Sequence, residues 1–316
     1  MSGRSPKPRW PESVKGKSKS WKGPAHAQVS ARIFYKLFIT DNLCFFVPFI
    51  HIRSSKLHYR VMGNGHRALL AFHGYGQEGH YYDTMARTLQ PEYKVFAIDL
   101  FFHGKSTLSK ADQPLSKKKL QAFIQALLEQ EEIGRFSVMA FSMGGKFALT
   151  VLEKFHDRMQ ELYLIAPDGI KTHLLYSLAT YPGWLQGLFK RIVLRPTRFF
   201  RTLSWLEQKR WVDPGLVKFA NWQMDSPQKR LRVYRSWTGF SNLTFDTRKI
   251  VWLLNQSNIE VNVFLGKYDQ IISQKRLQVF LNALKRHNLV VLQTGHTNLL
   301  YTVATWLRNH RSKTAN

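Results

Sequence analysis

Three side chains of this sequence have the types and surroundings that nucleophilic catalysis needs. Ser142 lies in Ala140-Phe141-Ser142-Met143-Gly144-Gly145, after the apolar run Phe136-Ser137-Val138-Met139-Ala140 and before Lys146-Phe147-Ala148-Leu149-Thr150-Val151-Leu152, which has helical spacing. A serine at a strand-to-helix turn, with nearly side-chain-free residues two positions away on each side, is the pattern of a nucleophile elbow. Bulk at those flanks would collide with the neighbouring strand and helix. The hydroxyl is thereby lifted clear of the sheet, in front of the positive N-terminus of the helix. Position 140 is Ala where the pattern has Gly, and small-x-Ser-x-Gly alone is a common sequence.

A serine is a poor nucleophile until a histidine takes its proton, and that histidine needs a carboxylate to fix its tautomer. His296, in Gly295-His296-Thr297-Asn298, and Asp269, in Gly266-Lys267-Tyr268-Asp269, each follow an apolar run. Asp168, in Ala166-Pro167-Asp168-Gly169, is the rival acid. An oxyanion needs unblocked backbone N–H groups. The turn His73-Gly74-Tyr75-Gly76 offers the N–H of Tyr75, and the elbow offers that of Met143. Gly74, Phe141 and Phe102 are the residues expected to face substrate. Asp99 is expected to hydrogen-bond loop backbone, and His73 and His103 to be structural. No cluster has metal-ligand spacing, so neither metal nor cofactor is expected.

Holding these groups takes strands that end at one edge. Residues 52–62 read as a hairpin broken at Arg53-Ser54-Ser55. Further strands read over 68–72, 93–98, 136–140, 162–166, 259–265 and 289–292. Helices read over 82–89, 115–133, 274–284 and 298–307. Strands apolar on both faces, alternating with helices, imply a mostly parallel twisted sheet with helices on both faces.

Residues 169–245 break the alternation with five of the nine tryptophans, many other aromatics and a large cationic excess. They read as a mainly helical cap with turns at Tyr181-Pro182-Gly183 and Asp213-Pro214-Gly215. The expected organisation is a disordered basic tail over 1–28, an apolar segment over 29–49 forming a helix packed on the domain, and a core over 50–168 and 246–316.

The 316 residues carry a formal charge of +27, which implies anionic surroundings. An anionic membrane surface is the partner this favours. Nucleic acid is disfavoured, because no recognised binding motif accompanies the charge. The lone Cys44 excludes an intramolecular disulfide and reads as a buried thiol in a reducing compartment. No signal-peptide pattern is visible, so a cytoplasmic protein is expected, peripheral at the inner membrane if the basic surface meets lipid. Nothing in the sequence signals an oligomeric state.

The chain resembles the α/β-hydrolase fold superfamily over roughly residues 50–310. The resemblance rests on the His73-Gly74 turn, on Asp99-Leu100-Phe101-Phe102-His103-Gly104-Lys105-Ser106, on the elbow, on Gly266-Lys267-Tyr268-Asp269 and on Gly295-His296. The chain order Ser142, Asp269, His296 is the order of that superfamily. Phe102-His103 departs from the leaner loop of the family. The resemblance implies a serine hydrolase of a carboxylic ester, small-molecule or lipid, with a lid over the site. Acyl transfer, C–C hydrolysis, or a catalytically silent membrane-surface protein stay open beside it.

Overall fold

The structure is a computed structural model that describes residues 37–40, 43–46, 48–170, 187, 190, 191, 193, 196–211, 217 and 221–311. The basic tail over 1–28 and the two cap turns at 181–183 and 213–215 lie outside the described residues, as does the side chain of Cys44.

The first described elements correct the expectation of an N-terminal helix. Strands β1 (Leu37–Thr40) and β2 (Leu43–Phe46) pair antiparallel. The reason lies in composition. Leu-Phe-Ile-Thr and Leu-Cys-Phe-Phe are continuous apolar runs without a helical period, and they flank Asp41-Asn42, a pair suited to a tight hairpin.

The main sheet has eight strands: β3 (Phe49–Ile52), β4 (Ser55–Met62), β5 (Arg67–Phe72), β6 (Tyr93–Ile98), β7 (Phe136–Phe141), β8 (Met159–Ile165), β9 (Glu260–Gly266) and β10 (Asn288–Leu292). Their spatial order is β10-β9-β8-β7-β5-β6-β4-β3. From β10 to β6 the pairing is parallel; β4 joins β6, and β3 joins β4, antiparallel. The centre is apolar on both faces. Every residue of β7 is buried, as expected of a sheet covered on both sides.

The described elements include helices α1 (Asp83–Leu89), α2 (Lys117–Gln130), α3 (Gly144–Phe155), α4 (Thr197–Gln208), α5 (Pro227–Gly239), α6 (Thr247–Gln256), α7 (Gln274–Ala283) and α8 (Leu299–Arg311). α2 is shorter than its apolar pattern. Ser116 caps it by accepting from Lys119 N–H at 3.2 Å. It stops where Glu132 turns left-handed, φ 54°, and Ile133 N–H reaches back to the Leu128 carbonyl at 2.8 Å. α6 has no counterpart in the expected elements. Asp246 caps it through Arg248 N–H, and Ile250, Leu253 and Leu254 form its buried stripe.

β5 is the strand that positions the site. The connection after β5 runs to β6 on one side, and the connection after its other neighbour, β7, runs to β8 on the opposite side. A crevice opens at such a reversal, and ligands bind there in open α/β sheets. Phe72 at the end of β5 stands beside Ala140 near the end of β7. The loops that follow therefore meet at one level. Ala140 is itself fully buried, and its methyl group is accommodated where the elbow pattern has glycine. Among the described residues, no helix is long and apolar enough to cross a membrane.

Candidate active site

Ser142 sits where β7 ends and α3 begins, with φ 49° in the left-handed region. An L-residue there costs of order 1–3 kcal/mol and persists only where surrounding contacts impose it. Those contacts are explicit. Ser142 N–H donates to the Ile165 carbonyl at 3.0 Å, and its own carbonyl accepts from Gly145 N–H and Asp168 N–H, each at 2.9 Å. Gly144 must be glycine, because a Cβ there would lie 2.1 Å from the Phe72 carbonyl oxygen. A backbone oxygen in the neighbouring strand cannot swing aside as a side chain can.

The register of β9 and β10 brings the other two groups to Ser142. Gly266 pairs with Leu292, so the loops holding Asp269 and His296 leave adjacent strands side by side. His296 Nδ1 is 2.6 Å from Asp269 Oδ2, and His296 Nε2 is 2.9 Å from Ser142 Oγ. The Asp269 carboxylate is buried, and its other oxygen accepts from Ile271 N–H and Ile272 N–H at 2.8 Å each. Two backbone donors leave this carboxylate with one task, accepting from Nδ1–H. That fixes the tautomer in which Nε2 carries a lone pair and the Ser142 hydroxyl donates to it.

Asp168 is elsewhere. Its Oδ1 accepts from Gly169 N–H at 2.7 Å and its Oδ2 lies 3.7 Å from Nζ of Lys146. Lys146 is buried on α3, and burial, opposed by Asp168, holds its ammonium below the usual lysine range. The pair ties the loop after β8 to the elbow helix.

The turn after β5 is held by two histidines. Nε2 of His103 accepts from Gly76 N–H at 3.1 Å while its Nδ1 faces the Phe101 carbonyl at 3.1 Å. Nε2 of His73 accepts from Leu100 N–H at 2.9 Å while its Nδ1 faces the Gly74 carbonyl at 2.7 Å. Each ring thus uses one acceptor and one donor, which is the neutral form. Burial pushes both down, His73 to about 4 and His103 to about 3. Asp99 is buried too, which by itself would raise it. Hydrogen bonds from His58, Lys105 N–H and Gly79 N–H outweigh that and hold it at about 2.

The structure brings Ser142, Asp269 and His296 together and sets the remaining expected residues around them with distinct surroundings. Among the described residues, no acceptor engages the N–H of Tyr75 or of Met143, the two groups an oxyanion would use. The Gly74 N–H is engaged by the Gln77 side chain at 2.9 Å. Phe141 is buried, its ring 5.0 Å from that of His296, so it backs the imidazole and offers substrate little surface. Phe102, with φ 66°, packs on Phe240 at 5.4 Å and fills the space over Gly239, where a Cβ would come within 2.4 Å of it. It joins the loop after β6 to the base of α5. The clasp of His103 on Gly76 was not legible in sequence, because it joins loops 27 residues apart. Among the described residues, no group of three acids, histidines or cysteines has the arrangement of a metal site.

A family model described as alpha/beta hydrolase fold matches residues 67–301. The chain is 26% identical over 129 residues to an uncharacterised protein of Mycobacterium tuberculosis, covering 39% of this chain and 36% of that one. It is 26% identical over 115 residues to the pimeloyl-[acyl-carrier protein] methyl ester esterase of Nitrosomonas europaea, covering 35% of this chain and 41% of the relative. The chain therefore spans about two-fifths or less of the length of these curated relatives. Among solved structures, a thermophilic esterase from Thermogutta terrifontis superposes with a TM-score of 0.61 at 16% identity, covering 83% of this chain and 93% of that one. At that identity the likeness speaks to the fold.

Proposed function

The chain belongs to the α/β hydrolase fold family, and from that premise we propose that it is a serine hydrolase of carboxylic esters, acyl and lipid esters among them. The observation that carries the reading is the unbroken chain of hydrogen bonds from Ser142 Oγ through His296 to Asp269, 2.9 and 2.6 Å long.

In this mechanism His296 Nε2 takes the Ser142 proton as Oγ attacks the ester carbonyl. The tetrahedral oxyanion is received by the N–H groups of Tyr75 and Met143, and the N-terminus of α3 adds favourable field. His296 then returns its proton to the departing alkoxide, and the C–O bond breaks to leave an acyl-enzyme and an alcohol. Water enters, gives its proton to His296 and attacks the acyl carbon. Collapse releases the acid and restores the Ser142 hydroxyl. Asp269 stays ionised throughout and stabilises the imidazolium. Acyl transfer shares the first half of this course and differs in the nucleophile that takes the acyl group.

The test is labelling with a fluorophosphonate probe, with the adduct mapped by mass spectrometry. Stoichiometric modification of Ser142, absent from folded Ser142→Ala and His296→Ala proteins, is the expected result. A folded wild-type protein that takes no label would refute the reading.

A further inference from the structure

Two buried hydroxyls without a partner, one on helix α5 and one on the turn after β5, lie near a half-buried arginine of the same helix. Ser236 is 1% exposed, and its hydroxyl has no hydrogen-bond partner among the described residues. A mid-helix hydroxyl ordinarily donates to the carbonyl four residues back. Thr238, two residues on in the same helix, does so to Tyr234 at 2.7 Å, which makes the idle Ser236 hydroxyl a local exception. Tyr75, in the turn after β5 whose N–H is assigned to the oxyanion in the proposed mechanism, packs its ring against the cluster of Val193, Met224 and Val233. Its hydroxyl is buried and likewise unpartnered. A buried polar atom left without a partner costs roughly 1–3 kcal/mol, so two of them beside one helix call for an explanation.

The third group is the Arg232 guanidinium. Arg232, Ser236 and Gly239 follow the spacing that places side chains on one helical face. The Gly239 end of that face rests on Phe102 of the site loop. Arg232 is half-buried and lies within electrostatic reach of Tyr75, His73 and His103. Neither histidine can supply the negative charge that would balance it. Among the described residues, no carboxylate pairs with it. Its neighbours on the helix are provided for: Arg230 donates to the Val193 and Met224 carbonyls, and Lys229 pairs with Asp225 at 2.7 Å.

Resting on the hydrolase reading above, we propose that Tyr75, Arg232 and Ser236 form a subsite for an anionic oxo group of the substrate, a carboxylate or a phosphate carried at a distance from the scissile ester. A planar guanidinium together with two hydroxyl donors suits such a group. The placement beside the oxyanion turn means that the anion is read while the ester carbonyl is held. The substrate class this gives is an acidic ester.

The test uses esters that differ only at the far end: mono-p-nitrophenyl adipate, p-nitrophenyl hexanoate and p-nitrophenyl 5-phosphonopentanoate. The expected result is a kcat/KM ratio of acidic to neutral ester of about tenfold or more, the scale of charge-assisted hydrogen bonds. That ratio should fall to near one in Arg232→Gln, be partly kept in Arg232→Lys, and drop severalfold in Tyr75→Phe and Ser236→Ala. The adipate and phosphonate arms tell a carboxylate-bearing from a phosphate-bearing substrate. A wild-type ratio near or below one overturns the proposal, as does a ratio unchanged in Arg232→Gln. If no ester is turned over, fluorophosphonate labelling of Ser142 decides the hydrolase reading separately, and the subsite is judged by calorimetry with Ser142→Ala protein. Tighter binding of the acidic esters that vanishes in Arg232→Gln would support it; equal or absent binding would overturn it.

Discussion

Acidification should destabilise this protein through the two histidines that hold the turn after β5. His73 and His103 are held neutral, at about 4 and about 3, against an ordinary value of 6.5. Their pKa values are lower in the folded chain than in the unfolded one, so between these values the unfolded chain binds more protons. Stability is then fully present above about pH 6.5 and is lost as pH falls toward 4. Linkage gives a loss of roughly 2 to 3 kcal/mol per histidine at about pH 4.5, a large share of the 5–15 kcal/mol typical of a domain. Asp99, held at about 2 against 3.8, contributes in a lower window and does not confuse the reading. The assay is urea unfolding at a series of pH values from 7 downward, for the wild type and His103→Gln. Glutamine can accept from Gly76 N–H and donate to the Phe101 carbonyl without titrating, so roughly half of the loss due to this pair should disappear. A wild-type stability flat across the window, or a His103→Gln curve parallel to wild type, would refute the account.

Asp269→Asn should leave the protein folded and lower kcat by about 10⁴, because an amide facing Nδ1 favours the wrong tautomer; steady-state ester kinetics check it. Phe102→Gly relieves a left-handed residue worth about 1–2 kcal/mol but removes a half-buried ring, whose full deletion costs about 3–5 kcal/mol. A net loss of about 1–2 kcal/mol, seen as a lower thermal midpoint, is expected, and a stabilised variant would contradict the packing role given to this ring. Trp205, Trp211 and Trp222 are 48%, 71% and 56% exposed among basic residues of the cap. Co-sedimentation with anionic but not neutral vesicles, weakening between about 50 and 500 mM salt, is expected, and binding indifferent to lipid charge would remove the membrane surface as a partner.

Signals local in sequence carried most of the fold. The elbow is readable because Ala140, Ser142 and Gly144 act within a single turn, and the order of the three candidate catalytic residues needs no knowledge of distance. Strand limits came out within a few residues because β5 to β8 are apolar on both faces and end at polar turns. Two failures have different causes. The apolar segment over 29–49 reads as a helix on hydrophobicity and its interruptions, which do not separate helix from strand in short apolar runs; the runs at 37–40 and 43–46 lack a helical period. α6 was passed over although Asp246 and the 250–253–254 stripe announce it. The contacts that shape the site were out of reach for another reason. His103 on Gly76, Lys146 with Asp168, and Phe102 over Gly239 all join segments that only the folded sheet brings together.

The distribution of charge supplies the physical link between composition and the candidate substrate. In the core, cations stand against acids: Arg67 with Glu92 and Glu161, Lys117 with Glu153, Lys119 with Asp112, Arg60 with Asp83. On α5 the cations are met by carbonyls, by the single Asp225, or, for Arg232 and Arg235, by no carboxylate among the described residues. The part of the excess charge borne by this helix therefore lies on an element that packs against the loop after β6. A surplus in that place raises the local concentration of anions and speeds their arrival, and salt screens it within about 8–10 Å. A buried contact to Arg232 is screened far less. Steering and recognition thus separate by ionic strength: if the proposed subsite reads the anion, added salt should slow the encounter with an acidic ester yet leave most of its advantage over the neutral one, because that advantage would reside in Tyr75, Arg232 and Ser236 and not in the field around them.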